Sequence, residues 1–136
     1  MNPCPFCNIP ADRVIAGDEA CCAVRDHYPV SPGHTLIIPR RHVASFRDMT
    51  ADEWSSVHRL AADLAMKAQE GDPSIQGFNL GINDGRTAGQ TILHAHIHLI
   101  PRRPGDVRRP EGGIRGVIPG KRKYPGADDR CCSGGL

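Results

Sequence analysis

Hydrophobic and polar positions change period several times along the chain, and each change marks an element. Short apolar runs at residues 13–16 (RVIA) and 20–25 (ACCAVR) flank Gly17-Asp18, which predicts a β-hairpin. The stretch DHYPVSPGH, residues 26–34, carries Pro29, Pro32 and Gly33 and reads as a loop that delivers the chain into a strand, HTLIIP. Thr50-Ala-Asp-Glu53 has the form of a capping box, in which threonine and glutamate side chains each accept from the other's backbone N–H. Behind it Trp54, Val57, Leu60, Ala61, Leu64, Ala65 and Ala68 recur at helical spacing until Gly71 and Pro73 stop the run. GFNLGI (77–82) predicts a strand, NDGRTAGQT (83–91) a glycine-rich loop, and HAHIHLI (94–100) another strand. One long helix among hairpin-length strands predicts an α+β domain built on a mainly antiparallel sheet of about five strands.

The last strand carries the chemistry. A period of two sends His94, His96 and His98 to one face and Ala95, Ile97 and Leu99 to the other, where they can enter a core. A solvated edge strand would tolerate histidine, but three in register beside a glycine-rich loop ask for a use. Three imidazoles can hold a catalytic zinc with an open position. Against that, Gly85, Gly89, Gln90 and Thr91 lie immediately upstream, able to aim N–H groups and a hydroxyl at an anion. Phosphate at such a loop favours a neutral imidazole as nucleophile, forming a phosphoramidate that water then releases.

Composition narrows the setting. A chain of 136 residues, 39% apolar and 24% charged, supports one ordinary hydrophobic core. A net charge of +2 is too small to imply a nucleic-acid or membrane partner. Arg102, Arg103, Arg108, Arg109, Arg115, Lys121, Arg122 and Lys123 nevertheless crowd the C-terminal part, and could neutralise a polyphosphate or form a solvated tail. The expected division is a domain over residues 1–106 and a Gly/Pro/Arg-rich extension over 107–136. No apolar run approaches a membrane span, and MNPCPFCNIPADR lacks a signal-peptide layout, so a cytoplasmic location is expected. Thiols should then stay reduced. Cys21-Cys22 sits in an apolar run and reads as packing, Cys131-Cys132 reads as an exposed tail pair, and Cys4-Pro-Phe-Cys7 has metal-ligand spacing.

The residues His94-Ala-His96-Ile-His98-Leu-Ile match the His-x-His-x-His-x-x pattern, and the chain resembles the histidine triad (HIT) superfamily. SPGHTLIIPRRH (31–42) and NDGRTAGQT resemble its upstream segment and pre-triad loop, and CPFCNIP its zinc-bearing bacterial N-terminus. The resemblance spans residues 4 to 106. It implies the HIT-like fold, with one long and one short helix, usually as a homodimer.

The resemblance also implies roles. His96 is the expected nucleophile, His98 the contact to the scissile phosphate and leaving group, and His34 a supporting histidine. Asn83, Gly89, Gln90 and Thr91 are expected at the phosphate, Asp26 at the ribose hydroxyls, and Phe6 and Ile9 against the base. Cys4, Cys7, His42 and His94 are the expected ligands of one structural zinc per subunit. A zinc on all three triad histidines would consume the nucleophile. The implied activity is hydrolysis at the α-phosphate of a dinucleoside polyphosphate such as diadenosine tetraphosphate, through a nucleotidyl-histidine. A histidine at position 98 rather than glutamine, and IPRRPGD after it, resemble the hydrolase branches. The alternatives are a nucleoside phosphoramidate hydrolase and a nucleotide-binding sensor or scaffold with little turnover. The DNA-repair branch adds a nucleic-acid-binding finger that this chain lacks, so a nucleic-acid substrate is not expected.

Overall fold

The computed structural model describes residues 4–126. They divide into two compact units, with the boundary between Arg102 and Arg103. The first holds all five strands: β1 (Val14–Gly17), β2 (Cys21–Arg25), β3 (Thr35–Pro39), β4 (Gly77–Ile82) and β5 (Ile97–Arg102). They form one sheet in the order β1-β2-β3-β5-β4, each neighbouring pair antiparallel. The long helix α1 (Ala51–Gly71) runs between β3 and β4. The fold is therefore α+β with a five-stranded antiparallel sheet.

Asp18 explains why the first hairpin turns where it does. Its carboxylate accepts from the Ala20 and Cys21 N–H groups, both at 2.9 Å, and from the buried hydroxyl of Ser56 on α1. The Ser56 hydrogen bond, then those from the turn, hold its carboxyl far below the usual carboxylate range. One side chain thus closes the turn and ties it to the helix. The helix starts at the expected capping box: Thr50 Oγ1 accepts from Glu53 N, and Glu53 Oε1 from Thr50 N. Arg41 also grips Glu53 at 2.8 Å, and that hydrogen bond lowers the pKa of a carboxyl only 5% exposed.

Both sheet faces are buried over β2 and β3. On the α1 side Cys21, Ala23, Ile37, Ala95 and Ile97 pack with Val57, Leu60 and Ala61. On the other, Cys22, Val24, Leu36 and Ile38 pack with Phe6, and partly with Ile9, Val14 and Ile92. Cys21 and Cys22 therefore enter opposite layers as packing residues, and burial raises both thiol pKa values. Full burial of one large apolar side chain contributes roughly 1.5–3 kcal/mol, so these layers carry most of the fold's stability. The helix face differs from its periodicity in one place. Trp54 lies on an exposed flank, edge to Phe46 at 6.5 Å between ring centroids, while Glu53 and Ser56 take buried positions. Local polar partners explain the exchange: Arg41 satisfies Glu53 and Asp18 satisfies Ser56.

In the second unit a short helix α2 (Gly112–Arg115) is followed by a turn in which Arg115 donates to the Lys121 and Lys123 carbonyls and stacks over Tyr124. Arg109 pairs with Glu111 at 2.9 Å. Cys131 and Cys132 lie outside the described residues. Among the described residues, no helix is long and apolar enough to cross a membrane.

Candidate active site

The three alternating histidines are not all on a strand. β5 begins at Ile97, and His94–His96 form a lead-in tied down through Ala95 N–H to the Val43 carbonyl at 2.7 Å. The alternation survives: Ala95, Ile97 and Leu99 are 0%, 3% and 5% exposed in the core. His98 lies between Leu36 on β3 and Gly81 on β4. A Cβ at Gly81 would meet no atom within 4 Å, so the sheet face beside His98 is open there.

Hydrogen bonds decide which nitrogen of each ring carries hydrogen. A carbonyl only accepts, so His94 carries its proton on Nε2, which donates to the Pro39 carbonyl at 2.7 Å. Its Nδ1 lone pair faces Cys4 Sγ at 3.5 Å and Cys7 Sγ at 3.7 Å. His96 carries its proton on Nδ1, which donates to the His94 carbonyl at 2.7 Å. Its Nε2 therefore offers a lone pair, the form a nucleophile needs. His34 Nδ1 accepts from the Val30 N–H at 3.2 Å, so its Nε2–H donates to His98 Nδ1 at 2.9 Å. Neutral His98 is left with an Nε2–H. Burial, then its neighbours His96 and His34, push His98 down to about 4, while Asp26 opposes them. Burial likewise lowers His34 and His94.

Two groups of ligand-type side chains result. Cys4, Cys7, His42 and His94 bring their ligand atoms within 4.8 Å of one another, with Cys7 Sγ and His42 Nδ1 at 3.1 Å. A tetrahedral zinc with ordinary Zn–S and Zn–N bonds has S···N edges of about 3.6 Å. The observed 3.1–3.7 Å separations bracket that value. The Pro39 carbonyl fixes the His94 ring as an outer partner does for a ligating histidine. The donor set fits a closed metal site. Asp26, His34 and His98 form the second group, with Asp26 Oδ2 at 3.4 Å from His34 Nε2.

Asn83, Gly89 and Thr91 are exposed in the loop before the triad, where Gly85 and Gly89 adopt positive φ, 89° and 93°. Their positive φ lets a turn of 3-10 helix (Arg86–Ala88) form between them. Gln90 is used differently from its neighbours. It is 6% exposed, and its amide donates to the Ala44 and Ile92 carbonyls while accepting from Gly85 N–H. It clamps the loop from inside. Asp84 adds a second tie, accepting from Phe46 N–H at 3.1 Å. Phe6 is buried in T-shaped contact with the His94 and His96 rings, at 6.0 and 5.1 Å between centroids, and Ile9 is half-buried beside it. Arg102 donates to Asn79 Oδ1. The Val30 amide, the Pro39 carbonyl and the Asp84 tie carried no signal in the sequence, because they act through backbone position or through a loop partner.

The fold and this constellation define a histidine-triad protein. The family model described as HIT domain matches residues 8–105, and the chain belongs to that family. A zinc-bound histidine triad family protein from Mycobacterium smegmatis superposes with a TM-score of 0.69 at 35% identity, covering 76% of this chain and 78% of that one. A diadenosine triphosphate hydrolase from Plasmodium falciparum superposes with a TM-score of 0.68 at 26% identity, covering 80% and 71%. The bifunctional bis(5'-adenosyl)-triphosphatase/adenylylsulfatase of Arabidopsis thaliana is 42% identical over 81 residues, 60% of this chain and 44% of that protein.

Proposed function

We propose that the protein is a hydrolase that cleaves dinucleoside polyphosphates at the α-phosphate through a covalent nucleotidyl-His96. The observation that carries this is the protonation pattern: His96 presents a bare Nε2 while His98, two residues further along the chain, presents an N–H. The Nε2 lone pair attacks the α-phosphorus, a P–N bond forms, and the bond to the bridging oxygen breaks. His98 donates to that oxygen. The charge of an incoming polyphosphate favours the protonated imidazole, which lets His98 release a proton as the leaving group departs. Water then attacks the same phosphorus, giving its proton to His98, and the P–N bond breaks to free His96. The named activities of the Plasmodium and Arabidopsis relatives support this substrate class.

In this reading Asn83, Gly89 and Thr91 meet the phosphate, Gln90 shapes the loop that holds them, Asp26 meets the ribose, and Ile9 lies by the base. Cys4, Cys7, His42 and His94 hold a structural zinc. With four protein ligands it has no open position, and its contribution is to hold the N-terminal segment against β3 and the triad. The working unit is a cytoplasmic homodimer. The test is to incubate the purified protein with dinucleoside polyphosphates, adenylyl sulfate and nucleoside phosphoramidates and rank kcat/KM. The proposal expects dinucleoside polyphosphates first; a higher value for phosphoramidates would replace the substrate class, and no turnover of any would end the enzymatic reading.

A further inference from the structure

Phe6 lies between the two candidate thiol ligands in Cys4-Pro-Phe-Cys7, and it is the residue of that run that is buried, at 8% exposure. It sits in the core layer with Cys22, Val24, Leu36 and Ile38. It meets two rings at a steep angle, His94 at 6.0 Å and His96 at 5.1 Å between centroids, with interplanar angles of 86° and 68°. So little exposed area leaves a small surface for a base, while the approach to His96 is close.

His96 needs such a neighbour. The torsion that turns an imidazole about its Cβ–Cγ bond is broad and weakly restrained. One hydrogen bond, Nδ1–H to the His94 carbonyl, sets the proton, but a single contact at one ring atom leaves rotation of the ring about it to be limited by packing. A fixed aromatic ring packed against it limits that rotation and keeps Nε2 aimed in one direction. The His98 ring also stands 5.2 Å from His96, but the other two restraints come from segments that the cysteine–histidine cluster ties together: His94 supplies the carbonyl, and the CxxC run supplies the Phe6 ring.

We infer that Phe6 is a positioning residue for the His96 imidazole, held in place by the CxxC hook. This rests on the reading of His96 as the nucleophile and is independent of which nucleotide is cleaved. Misplacing a reacting group by about 1 Å costs up to ~100-fold in rate. The metal cluster and the nucleophile then behave as one mechanical unit, so disturbing the hook loosens His96 even when the sheet stays folded.

The test uses the full chain with zinc bound, the same chain after chelation, and the variants Phe6→Ala and Phe6→Leu. Imidazole nitrogen NMR reads the His96 ring directly. The wild type should show one fixed Nδ1–H form; Phe6→Ala and the chelated wild type should both show line broadening or averaged shifts. In steady-state assays Phe6→Ala should lose roughly 10- to 100-fold in kcat with KM changed by no more than about threefold, and Phe6→Leu should recover part of the loss. Far-ultraviolet circular dichroism checks that each variant is folded; if Phe6→Ala is not, the Phe6→Leu and chelation arms decide. Unchanged His96 signals together with a loss confined to KM would overturn the inference and make Phe6 a wall of the base pocket. If the wild type turns over no nucleotide, the functional reading fails while the NMR comparison still decides the role of Phe6.

Discussion

Cys4, Cys7, His42 and His94 form one polar cluster near His96, and Asp26, His34 and His98 form another; in each, the ligand atoms lie within 4.8 Å of one another. Their internal arrangement differs. In the cysteine cluster, the proton of His94 points away to Pro39, so its Nδ1 lone pair converges with the two sulfurs. In the aspartate cluster, donors meet acceptors head to tail: Val30 N–H to His34, then His34 N–H to His98. Converging lone pairs repel unless a cation sits among them, and thiols give up their protons readily to a metal. A head-to-tail chain is already complete and sets the direction of an N–H. A pair of histidines thus joins two thiols in a converging clamp in one place and forms a donor chain beside a carboxylate in the other, and the backbone groups around them set which ring nitrogen is left free.

Four experiments test that contrast. Replacing the ring that lies along the chain between His94 of one cluster and His98 of the other, His96→Ala, should lower kcat by about four orders of magnitude or more while nucleotide binding persists. Equilibrium binding of a non-hydrolysable dinucleotide together with single-turnover assays checks both halves. Wild-type turnover in that variant would remove the covalent step.

The next largest effect belongs to the clamp. Cys4→Ser with Cys7→Ser should abolish bound zinc by elemental analysis. If free zinc stands near a thousand times its Kd, the lost linkage is about 4 kcal/mol. Scanning calorimetry should then show Tm falling on the order of 10 °C. A metal content unchanged by the double substitution would refute the clamp.

Breaking the donor chain should leave the metal alone. His34→Gln is expected to lower kcat by roughly 10- to 100-fold, the usual range for disturbing a general acid, with zinc content unchanged. Zinc lost from His34→Gln would mean that the second cluster also binds metal, and the contrast would collapse.

The smallest effect concerns pH. Burial holds His98 at about 4, with His34 and His94 also lowered, so the folded state binds fewer protons than the unfolded chain, whose histidines titrate near 6.5. Stability from these groups is therefore full above about 6.5 and is lost as the pH falls toward about 4. Urea titrations of the chelated protein across that window should show the loss, and His98→Gln should flatten it. A steeper slope in the variant would contradict the burial argument.

Some of this was legible along the chain, and particular residues show why. The capping box at Thr50 and Glu53 is a local device, four residues long, and the helix begins where it says. The alternation through His94–Leu99 is equally local, and it placed Ala95, Ile97 and Leu99 in the core correctly. The strand itself starts three residues later than the pattern suggests, because pairing depends on what β3 and β4 present opposite it. Trp54 follows helical spacing yet lies outside, since Arg41 and Asp18 are there to satisfy Glu53 and Ser56. Gln90 was legible as a loop residue but not as its inner clamp, because its partners Ala44 and Gly85 come from different turns. Helix periodicity and Cys spacing likewise say nothing of Phe6 against His96.

The order of residues by itself determined the elements, the facing of the triad, the separate fates of Cys21 and Cys22 on the two sheet faces, and the kinship with histidine-triad proteins. Only the tertiary structure decided which nitrogen of each imidazole carries a hydrogen. That choice rests on the Pro39 carbonyl, 55 residues from His94, and on His34, 64 residues from His98. A ring's tautomer follows from what touches it, and folding alone brings those groups together.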